Sequence, residues 1–285
     1  MPLTVVVVHR NRPDRLRDTV DALRAQSTPT RVLVVDAGSE PEHQDKAAAI
    51  LAERAEDEYL PFDRNLGFGP GGNIGWQHWL STDTGEWVGL CPHDALAAPD
   101  CVEKMLAAVE PRPRAGLASA DVGDHLSAVV DRYFGPLFRP AAVEEGWEPV
   151  AYPHGTLLLA RRACLEDVGL FDERYFSYNE EADLGLRAAD RRWEIGLVRG
   201  ARVTNQDLSS SVALVDYLQL RNTLLLTHDH FGRYATFIRF TTALLQLATQ
   251  SLVPARRPLI FDARARLRAL RDHLRGCYGP PPVDL

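Results

Sequence analysis

Hydrophobic residues recur with two periods along this chain. Residues 3–8 (Leu-Thr-Val-Val-Val-Val) form a valine-rich run without polar alternation, the pattern of a strand buried on both faces of a parallel sheet. Residues 13–25 follow with Leu16, Val20 and Leu23 at helical spacing. A second buried-strand run covers 31–35 and ends in Asp36-Ala37-Gly38-Ser39, after which 41–55 reads as a helix. Strand, helix, strand, helix predicts a doubly wound α/β fold, with a mostly parallel central sheet flanked by helices. In such sheets ligands collect at the C-terminal ends of the strands. Both His9-Arg10-Asn11-Arg12 and the 36–39 segment lie at such ends.

Further on, the pattern predicts a glycine-rich loop over 67–75 and a helix over 76–80. A strand over 86–90 runs into Cys91-Pro92-His93-Asp94, and a helix over 100–109 is capped by Asp100. Residues 111–150 are rich in proline and glycine and read as strands and loops. A strand over 155–160, helices over 162–168 and 180–191, and a strand over 193–198 follow. From Val212 the period is helical, with Tyr217, Leu220, Leu224 and Leu225 on one face. Residues 256–275 read as an arginine-rich helix, and Gly279-Pro280-Pro281-Pro282 cannot continue it. The expected organisation is an α/β domain over 1–211 and a helical C-terminal extension over 212–285.

Composition narrows the function. A net charge of −7 gives no reason to expect a nucleic-acid partner. The four cysteines contain no C-x-x-C pair, which argues against a zinc ribbon or a disulfide framework and points to a reduced, cytoplasmic setting. The 3–8 run is too short for a secretory signal core. The apolar stretch 237–253 is interrupted by Arg239, Gln246 and Gln250, a poor membrane span.

Three segments carry chemistry. Gly67, Gly69 and Gly72 fit G-x-G-x-x-G but do not follow the first strand, and no Gly-Lys-Ser/Thr follows them, so a substrate-contacting loop is the preferred reading over a dinucleotide site. Asp94 follows His93 at a strand end, where a carboxylate either holds a divalent cation or closes a turn. Residues 171–187 place Glu180, Glu181 and Asp183 at a helix start. The helix dipole alone would explain carboxylates there; so would presentation of a catalytic base. Glu181 and Asp183 are two apart and point to different sides, so one is expected to face substrate while the other pairs with a base such as Arg187. Trp76 and Trp79 have core spacing, whereas Trp147 lies in an irregular stretch and is a candidate for stacking on a sugar. His154 precedes Gly155 on the strand before the acidic segment, where it is either structural or beside an acceptor.

Taken in order, V-V-D-A-G-S, R-N-L-G-F-G-P-G-G-N-I-G, a strand-end H-D and F-D-E-R-Y-F-S-Y-N-E-E-A-D-L-G-L-R resemble the motifs of family 2 glycosyltransferases with the GT-A fold, over about residues 3–230. The stretch from Tyr217 through Arg221-Asn222 is similar to the rhamnosyltransferase-like branch. The resemblance implies an inverting transfer of a sugar from a dTDP- or UDP-linked donor to an acceptor hydroxyl. It implies that His9, Arg12, Asp36 and Arg64 bind the nucleotide and that Asn65, Gly72, Asn73 and His93 bind the donor sugar. It implies Asp94 as ligand to Mg or Mn and Glu181 as general base; from the residues themselves, the acceptor side is expected near Trp147, His154, Glu180 and Asp183.

The sequence departs from that pattern in three places. Pro92 stands at the first acidic position of the D-x-D-type motif, Glu181 replaces Asp, and Asn205 stands where a metal-supporting His is often found, before the serines at 209–211. These departures keep open a catalytically impaired sugar-nucleotide-binding subunit, and a nucleotidyltransferase shares the nucleotide-binding logic. The arginine-rich helix would be an exposed or subunit-contacting helix, with a homodimer through the C-terminal helices or peripheral contact with the inner membrane face as its partner readings.

Overall fold

The computed structural model describes residues 1–205 and 211–282. The first half alternates as expected: β1 (Leu3–His9), α1 (Pro13–Arg24), β2 (Thr30–Asp36), α2 (Pro41–Leu51), β3 (Glu58–Pro61), α3 (Phe68–Thr82) and β4 (Trp87–Pro92). Next come β5 (Ala95–Ala97), α4 (Cys101–Val109), β6 (Ala115–Asp121), β7 (Leu126–Asp131), β8 (Gly135–Pro140) and β9 (Gly146–Pro149). The remainder is β10 (Leu158–Arg161), α5 (Arg162–Val168), α6 (Glu180–Asp190), β11 (Glu194–Asn205), α7 (Val212–Leu252) and α8 (Ala263–Leu274). The main sheet runs β3-β2-β1-β4-β10-β6-β11-β5, with β9 also on β11, and β7 and β8 form a separate hairpin. β3, β2, β1 and β4 are mutually parallel, as are β6 and β11; β10 runs antiparallel between β4 and β6.

The valine run explains the layering. Val5 and Val7 join one core with Leu16, Val20 and Met105 under α1 and α4, while Val6 and Val8 join a second core with Trp76, Trp79 and Leu184 under α3 and α6. Alternate strand residues point to opposite faces, so a strand covered on both sides must be apolar at every position.

Three elements differ from expectation. The glycine-rich stretch is not a loop: α3 begins at Phe68 and takes in most of the glycines. A Cβ at Gly75 would collide with Val6, and one at Gly71 would meet Val8 at 2.9 Å. Glycine costs about 1 kcal/mol per helical position, but here it lets α3 lie directly on β1. Asp100 precedes α4 without capping it through its side chain; its carboxylate pairs with Lys104 at 2.7 Å. The arginine-rich helix starts only at Ala263, past Pro258, and is capped by Asp262, whose Oδ1 accepts from Ala265 N–H at 2.8 Å.

The C-terminal region packs on itself and, through α7, against β8 and α6. α7 bends at Gly232, where φ is 80°, and turns back as a hairpin with α8. The Tyr217 hydroxyl donates to Asp272 at 3.0 Å, and Arg266 pairs with Asp216 at 2.8 Å. Tyr217, Leu220, Leu224 and Leu225 are all buried, as their spacing predicts.

Candidate active site

The parallel register brings His9 beside Asp36 and Val8 beside Pro92, so β1, β2 and β4 end at one edge. Under that edge His9 and Asp36 are fully buried. His9 Nδ1 lies 2.9 Å from Asp36 Oδ2, and His9 Nε2 accepts from the Arg12 N–H at 3.2 Å, so the ring donates to the carboxylate. Tyr59 donates to the same carboxylate at 3.0 Å, and the Ser39 N–H does so at 2.8 Å. Burial opposes the Asp36 charge, but the His9 and Ser39 hydrogen bonds outweigh it and hold its pKa below the ordinary range. Both residues were expected to touch nucleotide; the structure places them one layer below, bracing the loops that do reach the surface. Those loops expose Arg12, Arg64 and Asn65. Gly38, at φ 75°, has no room for a Cβ because the Arg64 backbone rests on it.

Gly72 and Asn73 also lie inward. Gly72 faces Leu90 and Phe171, and Asn73 clamps the Phe171 backbone, donating to its carbonyl at 2.9 Å and accepting from its N–H at 2.9 Å. Both were expected against the donor sugar; their contacts instead join α3 to the start of the acidic segment. His93 meets His9 edge-on, with ring centroids 5.4 Å apart. Burial, and then the neighbouring His9, push the His93 pKa down to about 4, and its Nε2 is buried with no partner.

Asp94, largely buried, occupies the turn from β4 to β5, and β5 pairs with the end of β11 so that Ala95 sits opposite Asn205. Among the described residues, no group of three or more His, Cys, Asp or Glu side chains gathers to hold a metal. The serines at 209 and 210 lie outside the described residues. Asp94 alone is a sparse donor set for a hard cation, which would have to take most of its shell from phosphate oxygens and water.

The acidic segment is entered through a contorted loop. Phe176, Tyr178 and Asn179 all have positive φ, at 65°, 69° and 73°. Each such residue costs on the order of 1 kcal/mol unless its surroundings hold it. Here α7 supplies the hold. Asn222, fully buried, reaches the carbonyls of Tyr175, Ser177 and Tyr178 at 2.7–2.9 Å, and Arg221 reaches Tyr175 at 3.3 Å. The Arg-Asn pair stood out in the sequence only as a family-like motif; its bracing role required the fold.

On α6 the three carboxylates diverge. Asp183 turns in, pairing with Arg187 at 2.8 Å and with His230 of α7 at 2.9 Å. The expected Arg187 partnership is present, and Asp183 is withdrawn from the acceptor side it was expected to line. Nothing in the sequence pattern singled out His230. Glu180 is 1 % exposed beneath Gly69, and its Oε2 has no partner. Glu181 keeps an open edge and lies against Gly155, where a Cβ would overlap its carboxylate.

Burial raises the Glu180 pKa well above the carboxylate range, with the Glu181 charge adding to it, and burial raises Glu181 to about 7. The helix dipole favours charge here by about 0.3–1 kcal/mol; desolvating a carboxylate costs several. Desolvation therefore wins, and both carboxyls are pushed toward their neutral forms instead of serving as charged helix caps.

The remaining candidates divide between the two faces of the sheet. His154, kept neutral by burial, bonds the Thr156 hydroxyl at 2.9 Å and lines a small recess with Tyr152 and Phe138 next to Gly155. Trp147 lies on the other face of the sheet, over Gly196, with Arg112 stacked 5.0 Å from its ring. It was expected at the acceptor side and is turned away from the carboxylates. Next to it, Arg199 is buried between Glu148 at 2.7 Å and Asp121 at 3.4 Å, locking β6, β9 and β11 together.

Known proteins share this fold. The closely superposable structures include a mannosyltransferase from Pyrobaculum calidifontis in complex with GDP-Man and Mn2+, with a TM-score of 0.63 at 15 % identity over 95 % of this chain and 86 % of that one. GalNAc-T7 with UDP, GalNAc and Mn2+ gives a TM-score of 0.67 at 15 % identity, over 98 % of this chain and 55 % of that one. The fold is therefore GT-A. In sequence, the N-acetylglucosaminyl-diphospho-decaprenol L-rhamnosyltransferase of Mycobacterium tuberculosis is 28 % identical over 238 residues, 73 % of this chain and 76 % of the relative. The description "Glycosyl transferase family 2" matches residues 4–169, which hold the strand-end edge, the α3 glycines and Asp94. With that match spanning more than half of the chain, this protein belongs to glycosyl transferase family 2.

Proposed function

We propose that this sugar transferase is inverting and uses a nucleoside-diphosphate sugar, dTDP- or UDP-linked, with Glu181 as the general base. The observation that carries the reading is the Glu181 carboxylate, desolvated at the start of α6 yet open beside Gly155. A base with a pKa near 7 is ionised often enough to act and basic enough to take a hydroxyl proton. In the transfer, the acceptor O–H proton passes to Glu181 while the acceptor oxygen bonds to the anomeric carbon. The bond from that carbon to the diphosphate breaks, and its electron pair stays on the phosphate oxygen. Attack opposite the leaving group inverts the centre.

The exposed guanidinium groups of Arg12 and Arg64 would meet the diphosphate. Asp94 and His93 would hold a divalent cation, Mg or Mn, which when bound neutralises the leaving diphosphate. His154 lies on the acceptor side. Residues 1–211 would form the catalytic unit, with 212–285 as its buttress. The unpaired state of the four cysteines supports a cytoplasmic setting.

Donor hydrolysis and transfer by wild type and Glu181→Gln test this assignment. Equal rates would remove Glu181 as the base. Thermal shifts with dTDP, UDP and GDP, with and without Mn2+, test donor and metal together. A shift without any turnover would instead support an impaired sugar-nucleotide-binding chain, the reading that Pro92 and Asn205 favour. Release of pyrophosphate from a nucleoside triphosphate would point to a nucleotidyltransferase.

A further inference from the structure

The C-terminal hairpin wears apolar side chains on its outside. Beyond Gly232, α7 buries Ala235, Ala243 and Leu247 but exposes Tyr234, Phe237, Leu244, Leu245 and Leu252. At helical spacing these five fall within an arc of about 100°, a continuous stripe opposite the buried face. The turn over 251–259 is exposed throughout, with Leu252 at 82 % and Leu259 at 101 % beside Arg256 and Arg257. α8 then exposes Arg264, Leu267, Arg271 and Leu274 along one face. Exposed apolar surface of this extent marks an interaction site.

Charge identifies the partner. Residues 233–275 hold nine arginines, no lysine and two aspartates, a local charge of +7 on a chain whose whole charge is −7. Within the same hairpin, Nε and Nη1 of Arg239 are buried with no hydrogen-bond partner, and Arg266 is near enough to repel its charge. The hairpin is therefore short of anions. A second copy apposed through this face would set arginines against arginines. An anionic bilayer supplies phosphates to the arginines and an acyl boundary to the leucines. No helix among the described residues is long and apolar enough to cross a membrane, so contact would be at the surface. We propose that the tip of the α7–α8 hairpin docks on an anionic lipid bilayer, with Leu252, Val253 and Leu259 entering the headgroup–acyl boundary.

Cosedimentation of the full chain with phosphatidylcholine vesicles, with or without phosphatidylglycerol, tests this. The assay contains neither donor nor acceptor, so its result is independent of the transfer reaction. Wild type is expected to sediment with the anionic vesicles and to be released by salt. Arg256→Gln with Arg264→Gln should weaken binding about fivefold per arginine. Leu252→Glu with Leu259→Glu should abolish it, with circular dichroism and Tm unchanged because both leucines are exposed. Three outcomes would overturn the proposal. Wild type stays in the supernatant at low salt; the leucine variant sediments as well as wild type; or light scattering finds a dimer that the leucine variant splits, which assigns the face to a second copy.

Discussion

Asp36 and Glu180 are equally withdrawn from solvent, at 0 % and 1 % exposure, and differ in nearly everything else. Asp36 accepts from His9, Tyr59 and Ser39 and has its pKa held down. Glu180 has a carboxylate oxygen with no partner, sits beside a second carboxylate, and has its pKa pushed up. A buried charge with its hydrogen bonds made is scaffold; one without them is held near its neutral form at a cost. The strand-end edge around Asp36 is thus built for rigidity, whereas the α6 edge is desolvated in the way the proposed proton transfer needs. Glu181, partly open and desolvated, stands at the working end of that contrast.

The strongest way to break the comparison is Glu181→Gln, expected to lower kcat by about 10²–10⁴-fold with donor affinity little changed. As the proposed base, Glu181 must be ionised, and burial raises it to about 7, so wild-type kcat should fall as pH drops through about 7. A plain unshifted carboxylate would keep its rate down to the ordinary Glu range. A pH–rate profile flat between about pH 6 and 8 (roughly one unit either side of the raised value) would sink the assignment.

Next is Asn222→Ala, which touches no substrate and tests whether α7 places the base. Losing the clamp on Tyr175, Ser177 and Tyr178 should cost about 1–3 kcal/mol of stability. It should also lower kcat more than it raises donor KM, because a displacement of about 1 Å at a reacting group costs on the order of 10²-fold. Unchanged kcat with lowered Tm would make Asn222 structural only. Asp36→Ala should act in the opposite sense. It strands the His9 ring, the Tyr59 hydroxyl and the Ser39 N–H, so donor KM should rise about tenfold while kcat at saturation changes less. Calorimetric titration with the nucleoside diphosphate separates the two.

How much of this was legible in the sequence follows from the same contrast. The layered α/β fold could be read because Val5 to Val8 satisfy both faces at once, a purely local pattern. Asp183 with Arg187 could be read because the two are one helical turn apart. The roles of Gly71, Gly75 and Asn73 could not. Glycines look like a ligand loop until the distance from α3 to β1 is known, and the Asn73 clamp on Phe171 spans 98 residues. Trp147 misled for a related reason. An irregular stretch carries no period from which to tell which face of the sheet a side chain will take. Asn222, His230 and Arg199 act through contacts 44 to 78 residues away, so their neighbours in sequence give no sign of them.

The smallest effect on turnover is expected from Glu180→Gln, and it sharpens the comparison most. Gln copies the neutral carboxyl that burial enforces at this position, so the packing beneath Gly69 should survive. Stability should then change with pH in a defined direction. With its folded pKa raised, Glu180 keeps its proton in the folded chain while the unfolded chain releases it. Wild type is therefore favoured below the ordinary carboxyl pKa and loses stability as pH rises toward the raised value, by up to about 1.4 kcal/mol per pH unit. Gln cannot ionise and removes that slope. The variant should match wild type near pH 4 and exceed it near pH 7, which denaturant midpoints at the two pH values will show. A variant less stable than wild type at pH 7 would mean that Glu180 is charged and satisfied after all, a second Asp36 rather than its opposite.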